Sequence, residues 1–305
     1  MAFGEAYRRQ VALLMAVLPY VAEENCFALK GGTAINLFIR DLPRLSVDID
    51  LTYLPIEDRE TSLGAIDAAL SRISTRIRAA LPGAKISRNP TAGPATKLVV
   101  RTDDIQIKIE VTPVLRGCVF DPESRAVSAA VEDAFGFAEI AVVSFADLYA
   151  GKIVAALDRQ HPRDLFDIQG LLANEGIDEA LRQAFIVYLV SHGRPMSEVL
   201  APTRKDFSSE FLRGFEGMTE AAVTPEELSS AREALINDIV GGMPAAHRQF
   251  LISFERGAPD WQLLGLPHVA NLPAVLWRQR NLDTLSATKR AALVSRLEEI
   301  LEGGR

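Results

Sequence analysis

Eight residues constrain the fold of this chain more than any others. From Leu45 to Thr52 apolar and polar side chains alternate, with Val47, Ile49 and Leu51 on one side and Ser46, Asp48 and Asp50 on the other. Period two marks a β-strand with one buried face. The opposite face then carries two carboxylates, two residues apart and about 7 Å from each other along the strand. Carboxylates placed like this either converge on divalent cations, with magnesium the natural choice, or form a solvated outer face.

The flanking sequence builds a sheet around that strand. Residues 4–23 read as a helix, and Phe27–Lys30 reads as a short strand ending in Gly31-Gly32-Thr33. Ala34–Ile39 then reads as helical. Leu63, Ile66, Leu70, Ile73, Ile77 and Leu81 recur every three or four residues, which predicts an amphipathic helix stopped by Pro82-Gly83. Residues 84–88 and 96–101 read as strands joined by a Pro/Gly-rich turn. Ile105–Val111 alternates again and ends at Pro113. A mixed sheet follows, with helices on its apolar face. Residues 112–140 carry no clear period. After Ser144 the pattern is helical, over about 145–159, 163–174, 178–191, 225–240, 244–256 and 285–302. Two domains are expected, 1–143 and 144–305, in an α+β chain with an α-helical C-terminal domain.

Composition narrows the class. The chain has 305 residues and a net charge of −7, so it is not a general nucleic-acid coat and any such contact is local. Two distant cysteines, Cys26 and Cys118, give no disulfide framework and fit a reducing cytoplasm. Four scattered histidines form no zinc spacing. Arg8-Arg9 before the apolar run Val11–Leu18 imitates an export signal. Glu5 in its basic region and the poor cleavage site at Pro19–Ala22 argue instead for a buried first helix, and the run is too short for a membrane span.

Gly31-Gly32-Thr33 opens a helix, and such a turn brings backbone N–H groups close to a phosphate. The plainer reading is a turn with a Thr cap. Its position one element before the carboxylate strand favours nucleotide triphosphate chemistry. Glu110 offers a third carboxylate, either as a metal ligand or base, or as the partner of Lys108 or Lys97. Lys152 lies on a helix, and Pro162 places Arg163 and Asp164 in the first turn of the next. Lys152 would neutralise triphosphate charge and Asp164 would orient it, or the two are a surface lysine and a dipole-favoured aspartate. Arg72, Arg76, Arg78, Lys85, Arg88, Lys97 and Arg101 fall in a stretch with no acidic residue. They either hold an RNA backbone or pair with carboxylates elsewhere. There is no GxSxG, Walker A or GxGxxG motif.

Leu29-Lys30-Gly31-Gly32-Thr33-Ala34, followed by Arg44-Leu45-Ser46-Val47-Asp48-Ile49-Asp50-Leu51, resembles the AbiEii/AbiGii (MenT-like) nucleotidyltransferase toxins of bacterial toxin–antitoxin and phage-defence systems. The Lys152 helix with Arg163-Asp164-Leu165-Phe166-Asp167 resembles the family's later motif, and residues 250–285 its C-terminal region. The resemblance implies a polymerase-β-like nucleotidyltransferase domain. It implies NTP binding by Gly31, Gly32, Thr33, Ser46 and Lys152, magnesium on Asp48 and Asp50, and catalysis by Asp48, Asp50, Lys152 and Asp164. It further implies a tRNA 3′ end as acceptor, blocked translation and a cognate antitoxin from an adjacent gene; a cytoplasmic monomer is expected beside it. The alternatives are the same fold modifying a protein hydroxyl, by nucleotide transfer or phosphorylation, and a non-catalytic nucleotide-binding regulator.

Overall fold

The computed structural model of the protein describes residues 4–88, 94–103, 105–219 and 221–303. The chain forms two compact units, Met1–Ser144 with Glu216–Ala222, and Phe145–Phe215 with Val223–Arg305.

The first unit is built on seven strands: β1 (Phe27–Lys30), β2 (Asp48–Tyr53), β3 (Lys85–Arg88), β4 (Lys97–Thr102), β5 (Ile105–Val111), β6 (Glu123–Ala126) and β7 (Glu139–Val142). Their order is β3-β4-β5-β2-β1-β7-β6. The β2–β5 and β1–β7 pairs are parallel and the remainder antiparallel, so the sheet is mixed. Four helices accompany it: α1 (Glu5–Ala22), α2 (Gly31–Ala34, running into a π-helical turn Ile35–Ile39), α3 (Arg59–Ala80) and α4 (Ala129–Phe135).

Alternation explains the layering. Ile49, Leu51, Leu98, Val100, Ile107, Ile109 and Val111 are almost fully buried. Val11, Leu14, Leu18 and Val21 of α1, and Ile66, Leu70, Ile73 and Ile77 of α3, are equally buried, and both helices pack on these strands. Each such side chain contributes about 1.5–3 kcal/mol by leaving water. The Val11–Leu18 run is thus core of this unit. Among the described residues no helix is long and apolar enough to cross a membrane.

Two features depart from the expectation. The central strand begins at Asp48, not Leu45, because the preceding residues pair elsewhere: Leu45 N–H donates to Met218 O at 2.9 Å and Arg44 bridges Thr219. Residues 112–140 contain β6, α4 and β7, short elements that leave little periodic signal; three of the four β6 residues are exposed. The Pro/Gly-rich turn between β3 and β4 lies largely outside the described residues.

The second unit is helical: α5 (Phe145–Arg159), α6 (Pro162–Asn174), α7 (Glu179–Val190), α8 (Met196–Leu200), α9 (Ser208–Gly214), α10 (Pro225–Ile236), α11 (Ala245–Glu255), α12 (Pro273–Asp283) and α13 (Ala287–Glu302). Capping sets several starts. His161 accepts from Arg163 N–H ahead of Pro162, and Thr224 and Glu227 form a reciprocal capping box on α10. The short α8 and α9, and α12 opened by Pro273, carry no strong sequence period.

Candidate active site

The glycine pair is explained by what it touches. Gly31 has φ +75°, a conformation that suits glycine, and a Cβ there would meet Asp50 Oδ2 at 2.7 Å. A Cβ on Gly32 would meet Arg44 Nη2 at 2.7 Å and Ser46 Oγ at 2.9 Å. The turn after β1 therefore presses directly on the end of the carboxylate strand.

Thr33 is fully buried and its hydroxyl points inward. It donates to the Asp48 backbone carbonyl and lies 3.1 Å from Ser46 Oγ. Thr33 thus holds the Asp48 backbone in place. Asn36, one turn on, donates to Gly32 O at 2.8 Å and fixes the same turn from behind.

Asp48 and Asp50 leave the sheet on the face opposite Ile49 and Leu51, and both are half-buried. The register aligns a row of charges across four strands: Lys30 opposite Asp50, Asp50 beside Glu110, and Glu110 opposite Lys97. Glu110 is therefore the neighbour of Asp50, and its carboxylate is 3.2 Å from Lys97 Nζ. Of its two possible lysine partners the fold selects Lys97. Lys30 Nζ donates to Thr112 Oγ1 at 2.7 Å; burial pushes its pKa down, while the Asp50 charge works the other way. No local pattern in the sequence marks Lys30 as a site residue. Only the antiparallel β1–β2 register brings it opposite Asp50.

The basic residues separate by partner. Arg72 and Arg76 bind the buried Glu24 at 2.6 Å each, and Arg76 also binds Glu23 at 2.8 Å. Arg88 pairs with Asp67 at 3.4 Å, and Arg78 donates to Ile86 O at 3.2 Å. Arg101 donates to Gln106 Oε1 at 2.7 Å.

In the second unit Lys152 on α5 is buried between two carboxylates of α6, Asp164 at 2.8 Å and Asp167 at 3.0 Å. Arg159 closes on Asp164 from the other side, with Nη2 3.1 Å from Oδ1. Burial alone would raise the Asp164 pKa, but Lys152 and Arg159 overcome it and hold the carboxyl well below the usual range.

The carboxylate face suits a hard dication. Asp48 and Asp50 supply only oxygen donors, and among the described residues no group of three or more His, Cys, Asp or Glu forms a cage. An ion held by the two would complete its shell with water and substrate phosphate oxygens, as Mg2+ does.

A family profile described as Nucleotidyl transferase AbiEii toxin, Type IV TA system, matches residues 12–277. Among solved structures the fold is similar to MenT4, a nucleotidyltransferase toxin from Mycobacterium tuberculosis H37Rv. The TM-score is 0.59 and the identity 18%, over 92% of this chain and 95% of that one. The comparison with curated proteins returns no match. The profile covers the sheet, the glycine turn, the carboxylate strand and the Lys152–Asp164 motif in one span, and the chain belongs to the AbiEii family of nucleotidyltransferase toxins.

Proposed function

We propose that the protein transfers a nucleoside monophosphate from an NTP to the 3′-hydroxyl of an RNA, the acceptor end of tRNA, and so blocks translation. The observation that carries the reading is the close approach of the Gly31-Gly32 turn to Asp50 and Ser46, which sets a glycine backbone turn against one carboxylate of the pair and the hydroxyl that precedes it. Mg2+ on Asp48 and Asp50, when bound, neutralises charge on the triphosphate. The turn orients that triphosphate through its backbone N–H groups. The 3′-oxygen attacks the α-phosphorus, the bond to the bridging oxygen breaks, and pyrophosphate leaves with the electron pair. Glu110 is the carboxylate we assign to the hydroxyl proton. Catalysis is then mainly positioning and charge complementarity. By the family motif, Lys152 and Asp164 serve the same reaction. A cognate antitoxin is the expected partner, and the cytoplasm, where tRNA is found, the expected site of action.

The test is incubation with magnesium, total tRNA and each of four α-labelled NTPs, beside Asp48→Ala. Label on tRNA from the wild type alone supports the reading. Label on a protein instead moves the acceptor to a protein hydroxyl.

Gly31→Ala is expected to lower transfer about 100-fold, because its Cβ displaces Asp50 and misplacement of about 1 Å is enough for that loss. The left-handed backbone adds about 1–2 kcal/mol of instability, read from denaturant unfolding.

A further inference from the structure

The polar face of the sheet continues past the carboxylates. Outward from β2, Asp48 stands beside Lys108 on β5, and Glu110 stands opposite Lys97 on β4. Arg101, further along β4, stands opposite Lys85 on β3. Alternation puts Lys108, Lys97, Arg101 and Lys85 on the face of Asp48 and Asp50, since their strand neighbours Ile107, Ile109, Leu98 and Val100 are buried on the other. Within β3, β4 and β5 this face holds four cations and one carboxylate, Glu110, in a chain of net charge −7.

Their commitments differ. Lys97 holds Glu110, and among the described residues Arg101 is bonded only to the neutral Gln106. Among the described residues, Lys85 and Lys108 make none of the side-chain hydrogen bonds or ion pairs of the fold. Lys85 and Arg101 are exposed, and Lys97 and Lys108 are half-buried. Arg88, by contrast, stands opposite buried Leu98 on the helix side and is tied to Asp67, while Arg72 and Arg76 are tied to Glu24. The seven basic residues of the 72–101 stretch thus divide, and only Lys85, Lys97 and Arg101 share the carboxylate face.

We infer that Lys108, Lys97, Arg101 and Lys85 form a phosphate track for the single-stranded 3′ end of the acceptor RNA, running from the β3 edge to Asp48 and Asp50. This rests on the RNA-acceptor reading above and narrows it. Lys85 and Lys108 carry no ion pair among the described residues and Arg101 bonds a neutral amide, so their charge leaves a positive potential that draws a polyanion. The track spans three strand spacings, about 14 Å. It lies on the β5 side of β2, whereas the Gly31-Gly32 turn lies on the β1 side. Acceptor and triphosphate therefore reach the carboxylate pair from opposite sides, as an in-line displacement requires. No aromatic residue lies on these three strands, so the track reads phosphates, not bases.

The probe is a short fluorescein-labelled single-stranded RNA with a free 3′-hydroxyl, followed by anisotropy across a KCl series. Lys85→Ala with Arg101→Ala is expected to weaken binding roughly tenfold. The double variant also lowers the slope of log K against log salt by about 1.4, at about 0.7 per lost phosphate contact. NTP binding stays unchanged. Arg125→Ala, at the opposite sheet edge, leaves both untouched. Lys108→Gln raises KM for RNA and not for NTP. If the double variant unfolds, Lys85→Gln with Arg101→Gln replaces it. An unchanged slope, in a preparation whose wild type still labels RNA, overturns the track alone. A wild type that neither binds nor labels RNA overturns the acceptor reading beneath it.

Discussion

Asp48→Asn should reduce nucleotide transfer at least ~1,000-fold while the protein remains folded. The substitution keeps the side chain's shape and removes one of the two charges proposed to hold the metal. Metal-assisted charge stabilisation is worth several kcal/mol, and each 1.36 kcal/mol is a factor of ten in rate. Asp48 is half-buried, and its backbone position is set by the Thr33 hydroxyl, which the variant retains. The melting temperature should therefore move by no more than a few degrees. Transfer kinetics and a thermal melt on one preparation check both halves. Asp50→Asn should behave similarly, whereas Glu110→Gln should cost less if the proton can leave through water. Equal losses at all three positions would make Glu110 a metal ligand.

Lys152→Met should be the most destabilising of the single changes considered. It removes the ammonium between two carboxylates, Asp164 and Asp167, whose side chains are 2% and 1% exposed. Breaking a buried ion pair from one side costs about 3–5 kcal/mol, because buried carboxylate charge loses its cation; Arg159, which stays on Asp164, keeps the loss towards the lower end. For a chain of this size that corresponds to a drop of roughly 10 °C. The pH dependence follows from the depressed pKa of Asp164. Its contribution is fully present above the ordinary aspartate pKa of about 4, and is lost as pH falls through the lower folded value. The deficit of Lys152→Met relative to wild type should accordingly shrink as pH falls from neutral towards about 4 and below, because burial without the ammonium favours the protonated carboxyls. Denaturant unfolding at pH 7 and pH 3.5 measures this. Adding Asp164→Asn and Asp167→Asn to Lys152→Met should recover most of the stability and none of the activity, which separates the fold-keeping role of the cluster from the chemistry.

Much of the fold was legible because its signals are periodic. The alternation of Ile105–Val111 gave that strand to the residue, and Leu63–Leu81 gave the helix now seen at Arg59–Ala80. The carboxylate pair was legible for the same reason, since alternation alone puts Asp48 and Asp50 on one face. What the sequence hid was long-range. Residues 45–47 alternate like a strand, yet Leu45 and its neighbour Arg44 are drawn off to Met218 and Thr219. Lys30 meets Asp50, and Glu110 meets Lys97, only through a register that no local pattern encodes. The inward turn of the Thr33 hydroxyl onto the Asp48 backbone carbonyl is likewise invisible to local pattern. The basic stretch 72–101 read as one patch, and pairing with Glu24 and Asp67 on the helix side divides it.

The attacking group of the proposed reaction is an RNA 3′-hydroxyl. Its most direct measurement is transfer from the productive α-labelled NTP to tRNA whose terminal ribose has been oxidised by periodate, beside untreated tRNA. The expected result is full labelling of the untreated RNA and none of the oxidised RNA, because the nucleophile has been destroyed while every phosphate remains. Undiminished labelling of the oxidised RNA would contradict the account and place the acceptor elsewhere on the molecule.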